Sequence, residues 1–227
     1  MAFSLDRVVP WGRSFAEYRR MFALTERDLQ RRILGCADGP ASFNAEATRG
    51  GASVVSTDPL YEFSAEEIRG RIKEVLPQVL EQTRQNRDSF VWNEFTSIES
   101  LGRSRLRAMA RFLADYPAGQ AEGRYRAAEL PALPFVDRQF ELALCSHLLF
   151  LYSDQLSAEF HVDSIVELCR VADEVRIFPL VGLGNAPSPH VETVTRAVEA
   201  LGKTARVEKV PYEFQRGGNQ MLRIGEF

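Results

Sequence analysis

The sequence has 227 residues, of which 45% are hydrophobic and 26% are charged. This composition supplies a hydrophobic core for one large domain or two small ones, and it excludes a disordered chain. The formal net charge is −3, so the chain has no bulk electrostatic reason to bind nucleic acid or an anionic membrane. We therefore expect neither a nucleic acid nor a membrane as a partner.

The sequence also shows no pattern typical of a targeting signal or of a metal site. No stretch approaches about 18 consecutive apolar residues, and the N-terminus lacks the apolar centre of a signal peptide, so we expect a cytoplasmic protein. The three cysteines are predicted to be reduced thiols, because their number is odd. Neither they nor the three histidines have the spacing of a zinc site, so no metal is expected.

Residues 1–30 are predicted to form an N-terminal helical extension. Apolar side chains recur there at helical spacing, namely Phe15, Tyr18, Met21 and Phe22. A second helix start is indicated at Thr25, whose hydroxyl suits an N-cap with Asp28 at the third position. The rest of the chain, residues 31–227, is predicted to be the main domain.

From residue 32 the pattern alternates between strands and helices. The predicted strands are residues 33–34, 53–57, 124–129, 140–145, 174–180, 205–214 and 219–224. The predicted helices are residues 41–48, one after the capping box of Ser64 and Glu67, one around Leu106, one around Ile165 and one that starts at Ser188-Pro189. Residues 82–123 do not fit the alternation, and they are predicted to be an insertion or a long crossover.

This alternation favours an α/β fold with a Rossmann-like, seven-stranded, mostly parallel sheet and helices on both faces. The last two strands flank Gly217-Gly218, which predicts a terminal antiparallel hairpin. In such sheets ligands bind beyond the carboxyl ends of the strands, where the strand order reverses. Residues that directly follow the strands are therefore the candidates for a functional site.

Two features after the first two strands indicate a nucleoside-type ligand. Gly35 and Gly39 frame a tight turn between a strand and a helix, which lets the backbone approach a ligand closely. Asp58 follows at the end of the second strand, where a carboxylate can accept hydrogen bonds from both hydroxyls of a ribose. The turn lacks the complete glycine fingerprint of dinucleotide-binding proteins, and no phosphate-binding loop for triphosphates is present.

A third region completes a known pattern. Glu129 is followed by Leu133-Pro134-Phe135, and then by the apolar strand of residues 140–145. Together with the glycine turn and Asp58, this order resembles the class I S-adenosylmethionine-dependent methyltransferases. The resemblance runs from about Ile33 to the C-terminus. It implies a methyltransferase-like domain over residues 31–227 that contains the insertion at about 82–123, and S-adenosylmethionine as the cofactor.

The resemblance also implies roles for individual residues. The glycine turn would pass under the methionine part of the cofactor, Asp58 would hold the ribose hydroxyls, and Pro59 would belong to the cofactor-binding residues. Glu129 would contact the adenine amino group, and Leu130 would lie beside the ring. The turn contributes Gly35, Cys36, Ala37, Asp38 and Gly39, and the end of the fourth strand contributes Cys145, Ser146 and His147 at the edge of the methyl-transfer site.

Two positions depart from the family pattern. Ala37 stands where the family usually has glycine, and Ile33 stands where an acid often begins the motif. Asp38 is a substitute for that missing acid. These departures motivate an alternative function, a nucleoside-binding regulatory module without catalysis. A nicotinamide-dependent oxidoreductase is a further alternative, against which the incomplete glycine fingerprint counts.

The predicted reaction is methyl transfer to a small-molecule acceptor. A base is needed only when the nucleophile carries a proton, and His147 is the candidate because an imidazole titrates near neutral pH. The acceptor is predicted to contact Trp11, Arg13 and Tyr18 of the extension, and Tyr152 after the fourth strand. The sequence leaves the identity of the acceptor and the oligomeric state open.

Overall fold

A computed structural model describes residues 10–226. Seven strands form one sheet in the order β3-β2-β1-β4-β5-β7-β6. Strands β1 to β5 run parallel to one another, and β7 pairs antiparallel with both β5 and β6. The strands are β1 (Arg32–Cys36), β2 (Ser53–Thr57), β3 (Tyr125–Arg126), β4 (Phe140–Ser146), β5 (Ala172–Phe178), β6 (Thr204–Lys209) and β7 (Gln220–Gly225).

Six α-helices accompany the strands in the described part of the chain. Three of them begin with a capping box in which a serine hydroxyl accepts the N3 backbone N–H. The helices are α1 (Phe15–Met21), α2 (Phe43–Arg49), α3 (Ala65–Gln85), α4 (Ile98–Ala121), α5 (Ala158–Val171) and α6 (Val191–Ala200). None of the helices within residues 10–226 is long and apolar enough to cross a membrane.

The sheet is covered on both faces because alternate strand residues are buried on opposite sides. On one face, Leu34 and Ala143 pack with side chains of α5 and α6. On the other face, Ile33 and Leu142 pack with side chains of α1 and α2. A third cluster lies between α3, α4 and β3, and it contains Tyr61, Ile68, Met109, Phe112 and Tyr116. The predicted Rossmann-like sheet with a terminal hairpin is confirmed.

The structure refines several of the predicted boundaries. Strand β3 has only two residues, and α6 starts at Val191 rather than directly after Ser188-Pro189. Between β2 and β3 the chain forms two long helices, α3 and α4, joined by a loop with a short 3-10 turn. The segment predicted as an insertion or crossover therefore contains the end of α3, this loop and α4. Of the predicted extension, residues 1–9 lie outside the described part of the chain.

Candidate functional site

Two adjoining cavities open at the carboxyl ends of β1, β2 and β4. The inner cavity lies toward α1 and β5, and the outer cavity lies toward the end of β3. Both are lined by Ala37, Gly39 and Asp58, so these residues form the boundary between them. The inner cavity is also lined by the predicted site residues Trp11, Arg13, Tyr18, Asp38, Ser146, His147 and Tyr152. The outer cavity is also lined by Cys36, Pro59, Glu129 and Leu130.

Two predicted cofactor residues, Gly35 and Cys145, line neither cavity. Cys145 is fully buried and is the register partner of Cys36 on the neighbouring strand. Gly35 is required for a packing reason, because a Cβ there would lie 1.9 Å from Oδ2 of Asp38. The glycine thus makes room for a carboxylate, and direct contact of either residue with a cofactor stays a prediction.

The turn after β1 has an unusual backbone conformation. Ala37 has φ +57° and Gly39 has φ +52°, so both lie in the left-handed region. Glycine adopts this region freely, whereas a residue with a Cβ is strained there by about 1–2 kcal/mol. The left-handed conformation at position 37 thus explains why the family that this chain resembles usually has glycine there. In this chain Ala37 occupies the position at the cost of that backbone strain.

The backbone donors of this turn are used inside the protein. Ala37 and Asp38 N–H donate to the Thr57 carbonyl at 2.9 and 3.4 Å, and Gly39 N–H donates to Oδ2 of Asp58 at 2.8 Å. Farther along, Ala41 N–H donates to the carbonyl of Asp38, and Ser42 N–H donates to the carbonyl of Arg13. Pro40 has no backbone N–H. Every backbone N–H between positions 37 and 42 therefore has an acceptor in the protein.

Asp58 is fixed by two backbone donors. Its Oδ2 accepts from Gly39 and its Oδ1 accepts from Leu60 at 2.9 Å. Each carboxylate oxygen keeps a second acceptor site, which suits a ligand with neighbouring hydroxyls. Burial raises the pKa of Asp58, against the effect of the two N–H donors, and Glu129 raises it further. The turn carbonyl of Gly39 is held as well, because it accepts from the buried hydroxyl of Tyr61 at 2.7 Å.

Asp38 is a buried acid with hydroxyl partners only. Its Oδ1 accepts from Tyr18 at 2.7 Å, and its Oδ2 accepts from Ser56 at 2.6 Å. Burial raises the pKa of Asp38 to about 6, although both hydrogen bonds act in the opposite direction. Among residues 10–226 no cation forms a salt bridge with this carboxylate. Asp38 lines the inner cavity, so a positively charged ligand group would find an acid there.

A second buried acid, Glu17, lies behind the opposite wall. Nη1 of Arg105 donates to both carboxylate oxygens of Glu17 at 2.7 Å, and the hydroxyl of Tyr212 donates to Oε1 at 2.9 Å. Burial by itself would raise the pKa of Glu17, but the Arg105 guanidinium lowers it to about 2. This pair was not predicted from the sequence, and the only local signal is the Ser14–Glu17 capping box at the start of α1.

His147 follows β4 and lines the inner cavity. It has φ +54°, its Nδ1 lies 2.9 Å from the hydroxyl of Ser146, and its backbone N–H donates to the Phe178 carbonyl. Burial lowers its pKa well below the usual value, and the guanidiniums of Arg13 and Arg105 act in the same direction. The imidazole is thus uncharged at neutral pH, which is the state that can accept a proton.

The sequence did not predict the far wall of the inner cavity. Segments distant in the chain form it, and they are joined by Val91 N–H donating to the Phe214 carbonyl and by the Gln215 side chain donating to the Gly182 carbonyl. Rings dominate its lining, contributed by Phe90, Phe178, Tyr212 and Phe214. Their separation in sequence explains why no motif could reveal them. Another histidine, His161 on α5, is buried, with both ring nitrogens within hydrogen-bond distance of backbone carbonyls.

We compared this chain with protein-family models and with solved structures. No protein-family model matches the sequence. Among solved structures, the mitomycin 7-O-methyltransferase MmcR is 12% identical with a TM-score of 0.48, covering 94% of this chain and 54% of that one. A TehB-like S-adenosylmethionine-dependent methyltransferase from Corynebacterium glutamicum is 13% identical with a TM-score of 0.47, covering 93% of this chain and 87% of that one.

A similarity of sequence extends over almost the whole chain. The uncharacterized protein MJ0045 of Methanocaldococcus jannaschii is 35% identical over 222 residues, which are 97% of this chain and 97% of that protein. Identity at this level across both full lengths indicates common descent and a shared fold. This chain therefore belongs to the same protein family as MJ0045 of Methanocaldococcus jannaschii.

Proposed function

We propose that this protein transfers a methyl group from S-adenosylmethionine to a small-molecule acceptor in the inner cavity. The observation that carries the proposal is the arrangement of the glycine turn and Asp58 between two adjoining cavities at the reversal of strand order. A ligand with two chemically different halves fits such a pair of cavities. The outer cavity offers an apolar surface with Glu129 at its edge, and the inner cavity offers charged and aromatic groups.

The residues present fit this cofactor. Pro59, Glu129 and Leu130 would hold the adenine side, Asp58 would accept from the ribose hydroxyls, and Asp38 would accept from the ammonium of the methionine part. When bound, S-adenosylmethionine supplies a methyl group that its sulfonium already activates. The protein needs to align the acceptor with that methyl group and to exclude water from the cavity.

His147 would accept a proton when the acceptor atom carries one. Bound S-adenosylmethionine would supply the methyl group, and a proton released by the acceptor would go to a ring nitrogen of His147, whose lowered pKa keeps it unprotonated beforehand. Tyr152 and Trp11 line the same cavity and would position the acceptor.

The backbone N–H groups of the turn bear on which cofactor fits. A pyrophosphate binds to free backbone N–H groups at a glycine turn and a helix N-terminus. Here the N–H groups from Ala37 to Ser42, which precede α2, already donate to acceptors in the protein. A thioether or sulfonium chain needs no donors from the turn, so the occupied turn is compatible with S-adenosylmethionine.

The proposal is tested by calorimetric titration with S-adenosylmethionine and S-adenosylhomocysteine. We expect both to bind the wild type, and we expect Asp58→Ala to weaken binding about tenfold or more, because a charged acceptor of two hydroxyl hydrogen bonds is lost. Asp163→Asn, an exposed acid on α5, is the matched control and should bind like the wild type.

A folded wild type that binds neither compound would reject the cofactor assignment. Binding that is unchanged in Asp58→Ala would place the ligand elsewhere on the protein. Binding without turnover, over an acceptor panel that includes carboxylates, phenols and amines, would favour a regulatory module without catalysis.

A further inference from the structure

The acceptor side of the inner cavity is lined mainly by aromatic rings. Phe90 stacks on Phe214 with ring centroids 4.9 Å apart, and Phe178 meets Tyr212 edge-on at 5.8 Å. The His147 ring lies 5.3 Å from Phe178. Flat apolar walls of this kind bind planar apolar molecules, with polar groups fixing the orientation.

One cation projects into this aromatic cavity. Arg13 lines it, and Nη1 of Arg13 donates to the carbonyl of Trp11 at 3.2 Å. Its Nε is buried and has no hydrogen-bond partner. Within residues 10–226, no carboxylate comes within salt-bridge distance of this guanidinium. Arg13 is therefore a donor group that the protein itself leaves incompletely paired.

The acid near Arg13 is already engaged by another cation. Glu17 receives both short hydrogen bonds from Arg105, one from Tyr212 and one each from the backbone and hydroxyl of Ser14. Glu17 is thus paired with Arg105 and forms no salt bridge with Arg13. Burial, followed by the neighbouring Arg105, lowers the pKa of Arg13 to about 10, which leaves it positively charged at neutral pH.

Arg13 is half-buried, and its buried Nε has lost contact with water without gaining a partner. A partly desolvated cation of this kind is unfavourable, and an anionic ligand group would offset that cost. An arginine fork also binds a carboxylate or phosphate through two parallel hydrogen bonds. We propose that the methyl acceptor is a small planar aromatic molecule with an anionic group, which Arg13 binds inside the aromatic cavity. The inference rests on the proposed methyl transfer and names the class of acceptor.

Arg13 and the candidate base His147 line the same cavity. The positive charge of Arg13 also contributes to the lowered pKa of His147, after the larger effect of burial. An anion bound to Arg13 would therefore hold the rest of the acceptor near His147. The other anion that could reach Arg13 is the carboxylate of the cofactor itself, so the test must separate the two sources.

The test uses three probe acids, namely benzoate, 2-hydroxybenzoate and 4-hydroxybenzoate, each paired with its neutral carboxamide. Binding is measured by calorimetry with and without saturating S-adenosylhomocysteine. We expect the wild type to prefer at least one acid over its amide by about tenfold or more, because the charged hydrogen bonds to Arg13 are lost with the amide. Arg13→Gln should remove the preference, and Arg13→Lys should keep part of it.

The control is Arg19→Gln, an arginine on the same segment whose partner Glu26 is exposed, and it should bind like the wild type. Circular dichroism establishes that the variants are folded. Equal binding of every acid and its amide to the wild type would overturn the inference. A preference that survives in Arg13→Gln would overturn it as well.

Binding of S-adenosylhomocysteine shows whether Arg13 binds the carboxylate of the cofactor or the anionic group of the acceptor. If Arg13 served the cofactor carboxylate, Arg13→Gln would weaken S-adenosylhomocysteine about tenfold and leave 5′-methylthioadenosine, which has no carboxylate, unaffected. That result would overturn the inference. Failure of the proposed function has a different signature, because the wild type would then not bind S-adenosylhomocysteine, while the acid preference would still be measured without it.

Discussion

Two buried acids beside the inner cavity differ in their charge partners. Glu17 is 1% exposed and Asp38 is 7% exposed, so both are removed from water. The pKa of Glu17 is about 2, because the Arg105 guanidinium outweighs the cost of burial. The pKa of Asp38 is about 6, because its partners are the neutral hydroxyls of Tyr18 and Ser56.

The difference separates a carboxylate that the protein pairs with a cation from one that has only neutral partners in the described part of the chain. Glu17 is satisfied by the protein, so removing it leaves Arg105 without its counter-charge. Within residues 10–226, Asp38 is held in place by hydrogen bonds but has no cation in a salt bridge, and Arg13, which lines the same cavity, has no anion in one. Groups of the second kind are the ones that a ligand can complete. Two substitutions test this contrast, and a third tests the turn that carries Asp38.

The largest effect is expected for the paired acid. Glu17→Ala leaves the fully buried Arg105 unpaired, and we expect a loss of about 3–5 kcal/mol in the free energy of unfolding. The measurement is urea denaturation at neutral pH. In Glu26→Ala the lost partner is the exposed Arg19, so this matched control should cost less than about 1 kcal/mol. Similar losses in both variants would contradict the assigned role of Glu17.

The titration of Asp38 should make the free energy of unfolding depend on pH. Since the pKa of Asp38 is about 6 when folded and 3.8 ordinarily, the folded state holds this proton more tightly. Its contribution is fully present below about pH 4 and is lost as the pH rises through about 6, with a size on the order of 3 kcal/mol.

Asp38→Asn removes this titration. The difference in unfolding free energy between wild type and Asp38→Asn should therefore shift against the wild type between pH 4 and pH 7, as followed by urea denaturation at several pH values. The exposed acid in Asp163→Asn serves as control and should leave the pH dependence of the wild type in place. Parallel curves for wild type and Asp38→Asn would mean that Asp38 titrates normally.

The smallest effect concerns the backbone of the turn. Ala37→Gly removes left-handed strain of about 1–2 kcal/mol and adds an entropy cost of about 0.5–1 kcal/mol, so we expect a gain of up to about 1 kcal/mol. Ala114→Gly, at an exposed position inside α4, should instead cost about 1 kcal/mol. Thermal and urea unfolding of both variants show whether the free energy of unfolding rises in Ala37→Gly and falls in Ala114→Gly. A lower free energy of unfolding in Ala37→Gly would show that the turn is not strained.

The cofactor half of the site was predictable because its residues follow strand ends. Asp58, Ala37 and Gly39 come directly after β1 and β2, and parallel strands bring their carboxyl ends together. The acceptor half was only partly predictable. Arg13 and Trp11 were expected there, but Tyr212 and the other rings of the far wall were not, since they come from segments distant in the chain with no shared motif.

The sequence by itself determined the alternation of strands and helices, the terminal hairpin and the positions of the turn residues, because these depend on local periodicity, capping and backbone freedom. Tertiary structure decided which charges are paired. Glu17 of α1 and Arg105 of α4 are separated by 88 positions and meet only in the folded chain, while within residues 10–226 neither Asp38 nor Arg13 forms a salt bridge. Charge pairing inside a protein acts across space rather than along the chain, so the fold decided which groups a ligand can complete.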